Sequence, residues 1–148
     1  YDPWRLSSEA EQLMSVTYVP FYELIKTSDI ISLHCPLTEE TKGLLGKEEL
    51  SAMKSSAIII NVARGEIIDE NALADALKEG RIAGAALDVF SDEPINSNNP
   101  LLKVNSDRLL LTPHVAGVSI ESQMRIINLT IENIIAVISG REPVNIIV

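Results

Sequence analysis

Cysteine is nearly absent from this sequence, and long apolar runs are absent altogether. The one cysteine, Cys35, cannot form a disulfide within the chain, and a lone thiol is typical of a reducing compartment. No apolar run approaches the roughly 20 residues needed to span a bilayer. The N-terminus also lacks the basic segment, apolar stretch and cleavage site of a secretory signal. These absences predict a soluble, cytoplasmic globular protein that does not bind a membrane.

Basic residues are also scarce. The sequence has 12 Lys and Arg against 21 Asp and Glu, which gives a net charge of −9. Binding to nucleic acid requires clustered Lys and Arg, so the charge balance argues against such a partner. A chain of 148 residues fits one domain with a sizeable core.

Short apolar runs alternate with amphipathic stretches along the chain. The runs predict strands buried on both faces at residues 30–33, 57–62, 85–89 and 109–111, with 15–19 as a weaker candidate. Helices are expected over 20–26 and 48–54, from the cap Asp69 to Gly80, and from Ser119 to about Ser139. This alternation predicts an α/β fold with a doubly wound parallel sheet, Rossmann-like and three-layered.

Polar residues interrupt the apolar pattern where the predicted strands end. In doubly wound sheets, ligands bind outside the carboxyl ends of the strands. Because every strand must end in something polar, the pattern alone favours a ligand site only modestly. The residues concerned are His34, Cys35, Asn61, Arg64, Asp88, Glu93 and His114.

Each of four of these residues can be interpreted either as part of a functional site or as an ordinary structural residue. Arg64 could hold a carboxylate through two hydrogen bonds, or it could be a solvated surface residue. Asp88 lies inside an apolar run and needs a partner, which could be backbone amides or a nicotinamide. Glu93 lies on a loop, where an exposed glutamate is the default. His114 could transfer protons near neutral pH, or it could be a capped structural residue.

Asp2 has two interpretations as well. An acidic residue that ends the second strand of a dinucleotide-binding fold binds the ribose hydroxyls and repels a 2′-phosphate, although Asp-Pro is also a common turn. The matching Gly-x-Gly-x-x-Gly should lie roughly 20 residues upstream, and none of the seven glycines forms it. Either the fold is not a dinucleotide-binding one, or its first strand, loop and helix are missing.

Four motifs, taken together and in order, resemble the D-isomer-specific 2-hydroxyacid dehydrogenase family over essentially the whole chain. They are His34-Cys35-Pro36-Leu37-Thr38, Asn61-Val62-Ala63-Arg64-Gly65, Leu87-Asp88-Val89-Phe90 with Glu93-Pro94, and Pro113-His114-Val115-Ala116-Gly117. The resemblance implies an NAD-dependent oxidoreductase that interconverts a small D-2-hydroxy acid and its 2-keto acid. It also implies a homodimer.

The resemblance assigns roles to individual residues. Arg64 would bind the substrate carboxylate and carbonyl, His114 would donate the proton during reduction, and Glu93 would hydrogen-bond His114 and favour its protonated form. Asp2 would favour NAD over NADP, and no metal is implied. The positions that would line the cofactor are Asp2, His34, Cys35, Pro36, Ala63, Arg64, Asp88, His114 and Gly117.

The chain departs from the family by lacking the glycine fingerprint and the substrate domain. We therefore expect residues 1–148 to be a partial, N-terminally incomplete NAD-binding domain. Residues 119–148 would form a long helix and a tail that returns toward the absent substrate domain.

Two other functions share features of this pattern. The C-terminal binding protein corepressors, which sense NAD(H) without catalysis, retain the Arg, Glu and His positions and are the main alternative. Formate dehydrogenases typically have Gln where this chain has Glu93, so Glu93 argues against that activity.

Overall fold

The computed structural model describes residues 1–146, apart from the side chain of Ser106, and divides into two compact units. The first unit is Tyr1–Pro113, and the second begins at His114. The elements of the first unit are α1 (Ser8–Leu13), α2 (Phe21–Thr27), β1 (Ile30–Leu33), α3 (Lys47–Ala52), β2 (Ile58–Asn61), α4 (Glu70–Lys78), β3 (Gly84–Leu87) and β4 (Leu109–Leu111). Short 3₁₀ helices cover Gly65–Ile67, Pro100–Lys103 and Ser106–Arg108, and the second unit contains α5 (Ile120–Ile138).

The four strands form one parallel sheet in the order β1-β2-β3-β4. Their ends are in register, with Leu33 opposite Asn61, Asn61 opposite Leu87, and Leu87 opposite Leu111. Parallel neighbours require crossover connections, and α3 and α4 supply them between the first three strands. This arrangement confirms the predicted Rossmann-like α/β class. It also brings all the strand carboxyl ends to one edge.

The sheet of the first unit is buried on one face. Ile31 and Ile59 point into the main core, which also takes Leu73 from α4. On the opposite face, Ile30 is 60% exposed and Leu110 is 62% exposed. The prediction that the strands are buried on both faces is therefore wrong for Tyr1–Pro113, because the core helices of this unit pack on a single face.

The predicted helix after Asp69 is confirmed, with its start and stop signals. The Asp69 side chain accepts hydrogen bonds from the amides of Asn71 and Ala72 at 2.9 and 3.1 Å. Gly80 ends the helical segment with a φ of 67°, a conformation that glycine adopts without steric cost. The helix thereby fixes the position of its first residue, Glu70.

Two local predictions need correction. Residues 15–19 do not form a strand, because Ser15 takes a φ of 54° and the Val16 amide bonds back to the Glu11 carbonyl as α1 ends. Helix α1 itself was not predicted, since none of its side chains is buried and it therefore shows no apolar periodicity.

Helix α5 begins after its cap Ser119 and runs to Ile138, as predicted. Its apolar side chains include many exposed ones, such as Ile120 and Ile138. Even so, no helix within residues 1–146 is long and apolar enough to cross a membrane. The predicted tail covers residues 140–148, and its last two residues lie outside the described part of the chain.

Candidate functional site

A cleft of about 530 Å³ opens at the carboxyl ends of β1 and β2. The residues after β1 form one wall, and those after β2 form the other. Side chains after adjacent parallel strands meet here because the strand ends are in register. Seven residues line the cleft, namely His34, Cys35, Pro36, Leu37, Val62, Ala63 and Arg64. Five of them are positions that the resemblance assigns to the cofactor.

Asn61 fixes the turn that carries Arg64. Its side chain is 1% exposed, accepts a hydrogen bond from the Ala63 amide at 3.0 Å and donates one to the Arg64 carbonyl at 2.9 Å. A buried amide that uses both its donor and its acceptor holds the backbone in one arrangement. The turn therefore delivers Arg64 to the cleft as part of a rigid scaffold.

The Arg64 side chain is exposed. One terminal nitrogen donates to the neighbouring Ala63 carbonyl at 2.6 Å, which leaves other guanidinium donors of the fork for a ligand. Among the described residues, no carboxylate forms a salt bridge with it. An arginine in this state can bind a carboxylate through two parallel hydrogen bonds.

His34 and Cys35 form the wall after β1. The Ser32 hydroxyl and His34 Nε2 are 2.8 Å apart, so a hydrogen bond orients the ring. Burial raises the pKa of the Cys35 thiol, and the negative charge of Asp2 raises it further. Cys35 is therefore a neutral thiol at physiological pH and presents an uncharged surface to the cleft.

Asp2 lies near this wall, as its electrostatic effect on Cys35 indicates. One carboxylate oxygen accepts a hydrogen bond from the Trp4 amide at 2.8 Å. The side chain is exposed, and its second oxygen is a further acceptor. The turn and the ligand interpretations of Asp2 are therefore compatible, because the hydrogen bond that forms the turn involves one of the two carboxylate oxygens.

Asp88 is 4% exposed and accepts a hydrogen bond from the Thr112 hydroxyl at 2.5 Å. Its own amide donates to the Asn61 carbonyl at 2.9 Å. The buried carboxylate thus links the end of β3 to the residue after β4. The sequence analysis predicts a partner for the buried Asp88, and Thr112 is one such partner. A contact between Asp88 and the nicotinamide stays a prediction.

Glu93 lies on the loop after β3 and is exposed. Its Oε1 accepts a hydrogen bond from the Phe90 amide at 3.0 Å, and the peptide bond to Pro94 is cis. The same loop passes against Gly65, where an added methyl group would stand 1.9 Å from the Phe90 carbonyl carbon. The loop that carries Glu93 therefore packs directly against the residue after Arg64.

His114 and Gly117 belong to the second unit. His114 takes a φ of 55°, which is uncommon for a residue other than glycine and marks a constrained position at the start of this unit. A methyl group on Gly117 would meet nothing within 4 Å. The expected convergence of His114 with Arg64 and Glu93 stays a prediction.

Three residues that support the site were not predicted to do so. Asn61 was noted as a polar residue at a strand end and as the first residue of a motif, and Thr112 directly precedes the motif that begins at Pro113; neither was given a supporting role. Glu70 was the residue after a helix cap, yet it bonds to the Ser91 amide and the Asn99 side chain. A carboxylate at a helix start is an ordinary N-terminal signal, so nothing in the local pattern indicates these distant partners.

Residues 1–116 match the family model described as D-isomer specific 2-hydroxyacid dehydrogenase, NAD binding domain. The chain therefore belongs to the D-isomer-specific 2-hydroxyacid dehydrogenase family. The match covers His34, Arg64, Asp88, Glu93 and His114.

Individual relatives agree with this assignment. The chain is 46% identical to a glyoxylate reductase of Korarchaeum cryptofilum over 99% of its own length and 43% of the relative's. It is 42% identical to a hydroxypyruvate reductase of Blautia hydrogenotrophica, covering 99% of the chain and 44% of that relative. The chain thus spans less than half the length of these relatives.

A solved structure of a family member has the same fold as this chain. The NAD-complexed D-isomer-specific 2-hydroxyacid dehydrogenase of Lactobacillus delbrueckii ssp. bulgaricus superposes with a TM-score of 0.84 at 31% identity. The superposition covers 99% of this chain and 47% of that structure.

Proposed function

We propose that this chain acts as the NAD-binding part of an oxidoreductase that interconverts a D-2-hydroxy acid and its 2-keto acid. The observation that carries the proposal is the cleft at the carboxyl ends of β1 and β2, into which Asn61 directs Arg64. Membership of the family supports the reaction class.

The cleft has the properties that a nicotinamide cofactor requires. Its volume of about 530 Å³ lies within the roughly 300–1,000 Å³ of ligand pockets. Ala63 is small, Cys35 is uncharged, and the Asp2 carboxylate can accept hydrogen bonds from ribose hydroxyls. When bound, NAD(H) supplies the hydride chemistry, while the protein supplies position and protons. The charge of Asp2 favours NAD over its 2′-phosphorylated form.

Arg64 binds the substrate in this account. A 2-keto acid presents a carboxylate beside its carbonyl, and a guanidinium can pair with the first while polarising the second. Such a group stabilises the negative charge that develops on the carbonyl oxygen during reduction.

His114 and Glu93 manage the proton. We propose that His114 protonates the carbonyl oxygen during reduction and accepts that proton back during oxidation. The carboxylate of Glu93 stabilises the protonated imidazole and orients it.

Two finer assignments belong to the same proposal. We propose a homodimer acting on a small acid, as the family resemblance implies, and a reducing compartment such as the cytoplasm because the only cysteine is a thiol. The three relatives named for this chain are two reductases and a dehydrogenase, and they do not support the corepressor alternative.

The test uses the complete protein and follows NADH oxidation with glyoxylate, hydroxypyruvate and pyruvate. We expect turnover of at least one of these 2-keto acids. Arg64→Lys keeps the charge but loses the two-pronged geometry, and hydrogen bonds to charged groups contribute about 1.5–3 kcal/mol. We therefore expect kcat/KM to fall about 10- to 150-fold.

The matched control is Arg81→Lys. Arg81 is exposed and pairs with Glu79 at 2.6 Å, away from the cleft. Equal kcat/KM in both variants, or NADH binding without reduction of any 2-keto acid, would contradict the proposal.

A further inference from the structure

Glu70, the first residue of α4, contacts the loop that carries Glu93 at two points. Its Oε1 accepts a hydrogen bond from the Ser91 amide at 2.8 Å, and its Oε2 accepts one from the Asn99 side chain at 2.7 Å. Ser91 precedes Glu93 in the loop and Asn99 follows it. One carboxylate therefore holds the loop on both sides of the proposed catalytic residue.

Each end of this bridge is itself anchored. Glu70 starts a helix whose cap and buried side chains fix its position, and a carboxylate is favourable at a helix N-terminus. Asn99 is buried, and its Oδ1 accepts a hydrogen bond from the Leu101 amide at 3.0 Å. The loop is thus attached to rigid parts of the first unit through both oxygens of Glu70.

Two further contacts lie at the start of this loop. Gly65 limits the backbone at Phe90 from one side, and the Phe90 amide bonds to Glu93. Gly65 and Glu70 therefore contact consecutive residues of the loop, Phe90 and Ser91. Movement at Ser91 would shift Glu93, which lies two residues further on.

We propose that Glu70 is a positioning residue for the reaction, because it fixes the loop from which Glu93 acts. This inference rests on the proposed function for its catalytic consequence, but not for its structural one. A displacement of about 1 Å in an active site can cost on the order of 10²-fold in rate. Losing the bridge should therefore lower kcat without changing NADH binding.

The experiment uses the complete protein with Glu70→Gln. The single oxygen of a glutamine side chain can still accept a hydrogen bond from the Ser91 amide. Its NH₂ group, which replaces the second carboxylate oxygen, cannot accept one from the Asn99 side chain. We expect faster hydrogen exchange at the Ser91–Glu93 segment by mass spectrometry. We also expect kcat to fall about tenfold or more, while the KM for NADH stays unchanged.

A second variant restores the bridge with the hydrogen-bond donor and acceptor exchanged between positions 70 and 99. In Glu70→Gln/Asn99→Asp, the new amide group at position 70 can donate to the new carboxylate at position 99. The remaining oxygen at position 99 can still accept from the Leu101 amide. We expect the double variant to recover slow exchange and most of kcat, whereas Asn99→Asp alone places two carboxylates together and should be impaired.

Asp69→Asn is the control for charge at the helix start. It removes a carboxylate from the same helix N-terminus and keeps a capping oxygen for the amides of Asn71 and Ala72, which are the hydrogen-bond donors to Asp69 among the described residues. We expect wild-type exchange and wild-type kcat in this variant.

The exchange measurement decides whether Glu70 holds the loop, even in a protein that reduces none of the acids tested. Unchanged exchange in Glu70→Gln would overturn the inference. So would faster exchange with unchanged kcat, or a double variant no better than Glu70→Gln, because the bridge would then not position Glu93. A protein without turnover would overturn the proposed function instead.

Discussion

Gly65 and Phe90 lie so close that a methyl group on Gly65 would stand 1.9 Å from the Phe90 carbonyl carbon and 2.2 Å from its oxygen. The turn after β2, which carries Arg64, and the loop after β3, which carries Glu93, therefore share a contact between backbones. Only glycine provides the space for this approach.

Gly65→Ala should therefore destabilise the protein strongly. The clash is with backbone atoms, which cannot move aside as a flexible side chain can, so we expect a loss of at least about 1–3 kcal/mol in the free energy of unfolding. Urea denaturation measures this change. Gly117→Ala is the control and should change stability by less than about 0.5 kcal/mol, because its methyl group meets nothing within 4 Å. Equal stability of the two variants would disprove the close approach.

Asn61→Ala should be destabilising for a different reason. It leaves the buried Ala63 amide without its Asn61 partner, at about 1–3 kcal/mol for a buried group left unsatisfied. It also removes the donor at 2.9 Å from the Arg64 carbonyl, which keeps the Ile67 amide at 3.4 Å. In urea denaturation, Asn105→Ala should have little effect, since Asn105 is exposed and accepts one hydrogen bond at 3.4 Å. An Asn61→Ala protein as stable as Asn105→Ala would show that this turn does not depend on Asn61.

These supporting contacts mark the limit of what the sequence predicts. The strand ends follow from local apolar runs, as Ile30–Leu33 and Leu109–Leu111 do. Parallel pairing then places the residues after them at one edge. The hydrogen bonds from the Ser91 amide to Glu70 and from the Thr112 hydroxyl to Asp88 join residues far apart in the chain. Such pairs depend on tertiary packing, which local periodicity does not encode.

The burial of the strands shows the same limit. The runs at residues 30–33 and 57–62 are apolar except for Ser32 and Asn61, and this pattern predicts burial on both faces. Whether a face is covered depends on which elements pack on it. In Tyr1–Pro113, Ile30 and Ile58 stay exposed.

Cys35 should react slowly with alkylating agents near neutral pH. The thiolate is the nucleophile, and both burial and the Asp2 charge raise the pKa of this thiol. We expect the pH at which iodoacetamide alkylation is half-maximal to lie above that of a free cysteine peptide. Asp2→Asn should lower this pH, because removing a negative charge favours the thiolate. Asp29→Asn, whose carboxylate pairs with Lys54, should leave it unchanged. A midpoint at or below that of the free peptide would contradict the assignment.

The most direct test of the proposed mechanism is the turnover of His114→Ala and Glu93→Gln, made in the complete protein. A positioned acid contributes about 10²- to 10⁴-fold, so His114→Ala should lower kcat by that factor while the Kd for NADH changes little. Glu93→Gln removes the carboxylate that we propose orients the imidazole, so kcat should fall for both reduction and oxidation, again with little change in the Kd for NADH. Asp92→Asn, on the same exposed loop, should keep wild-type kcat. Wild-type kcat in His114→Ala, or a kcat in Glu93→Gln equal to that of Asp92→Asn, would contradict the account.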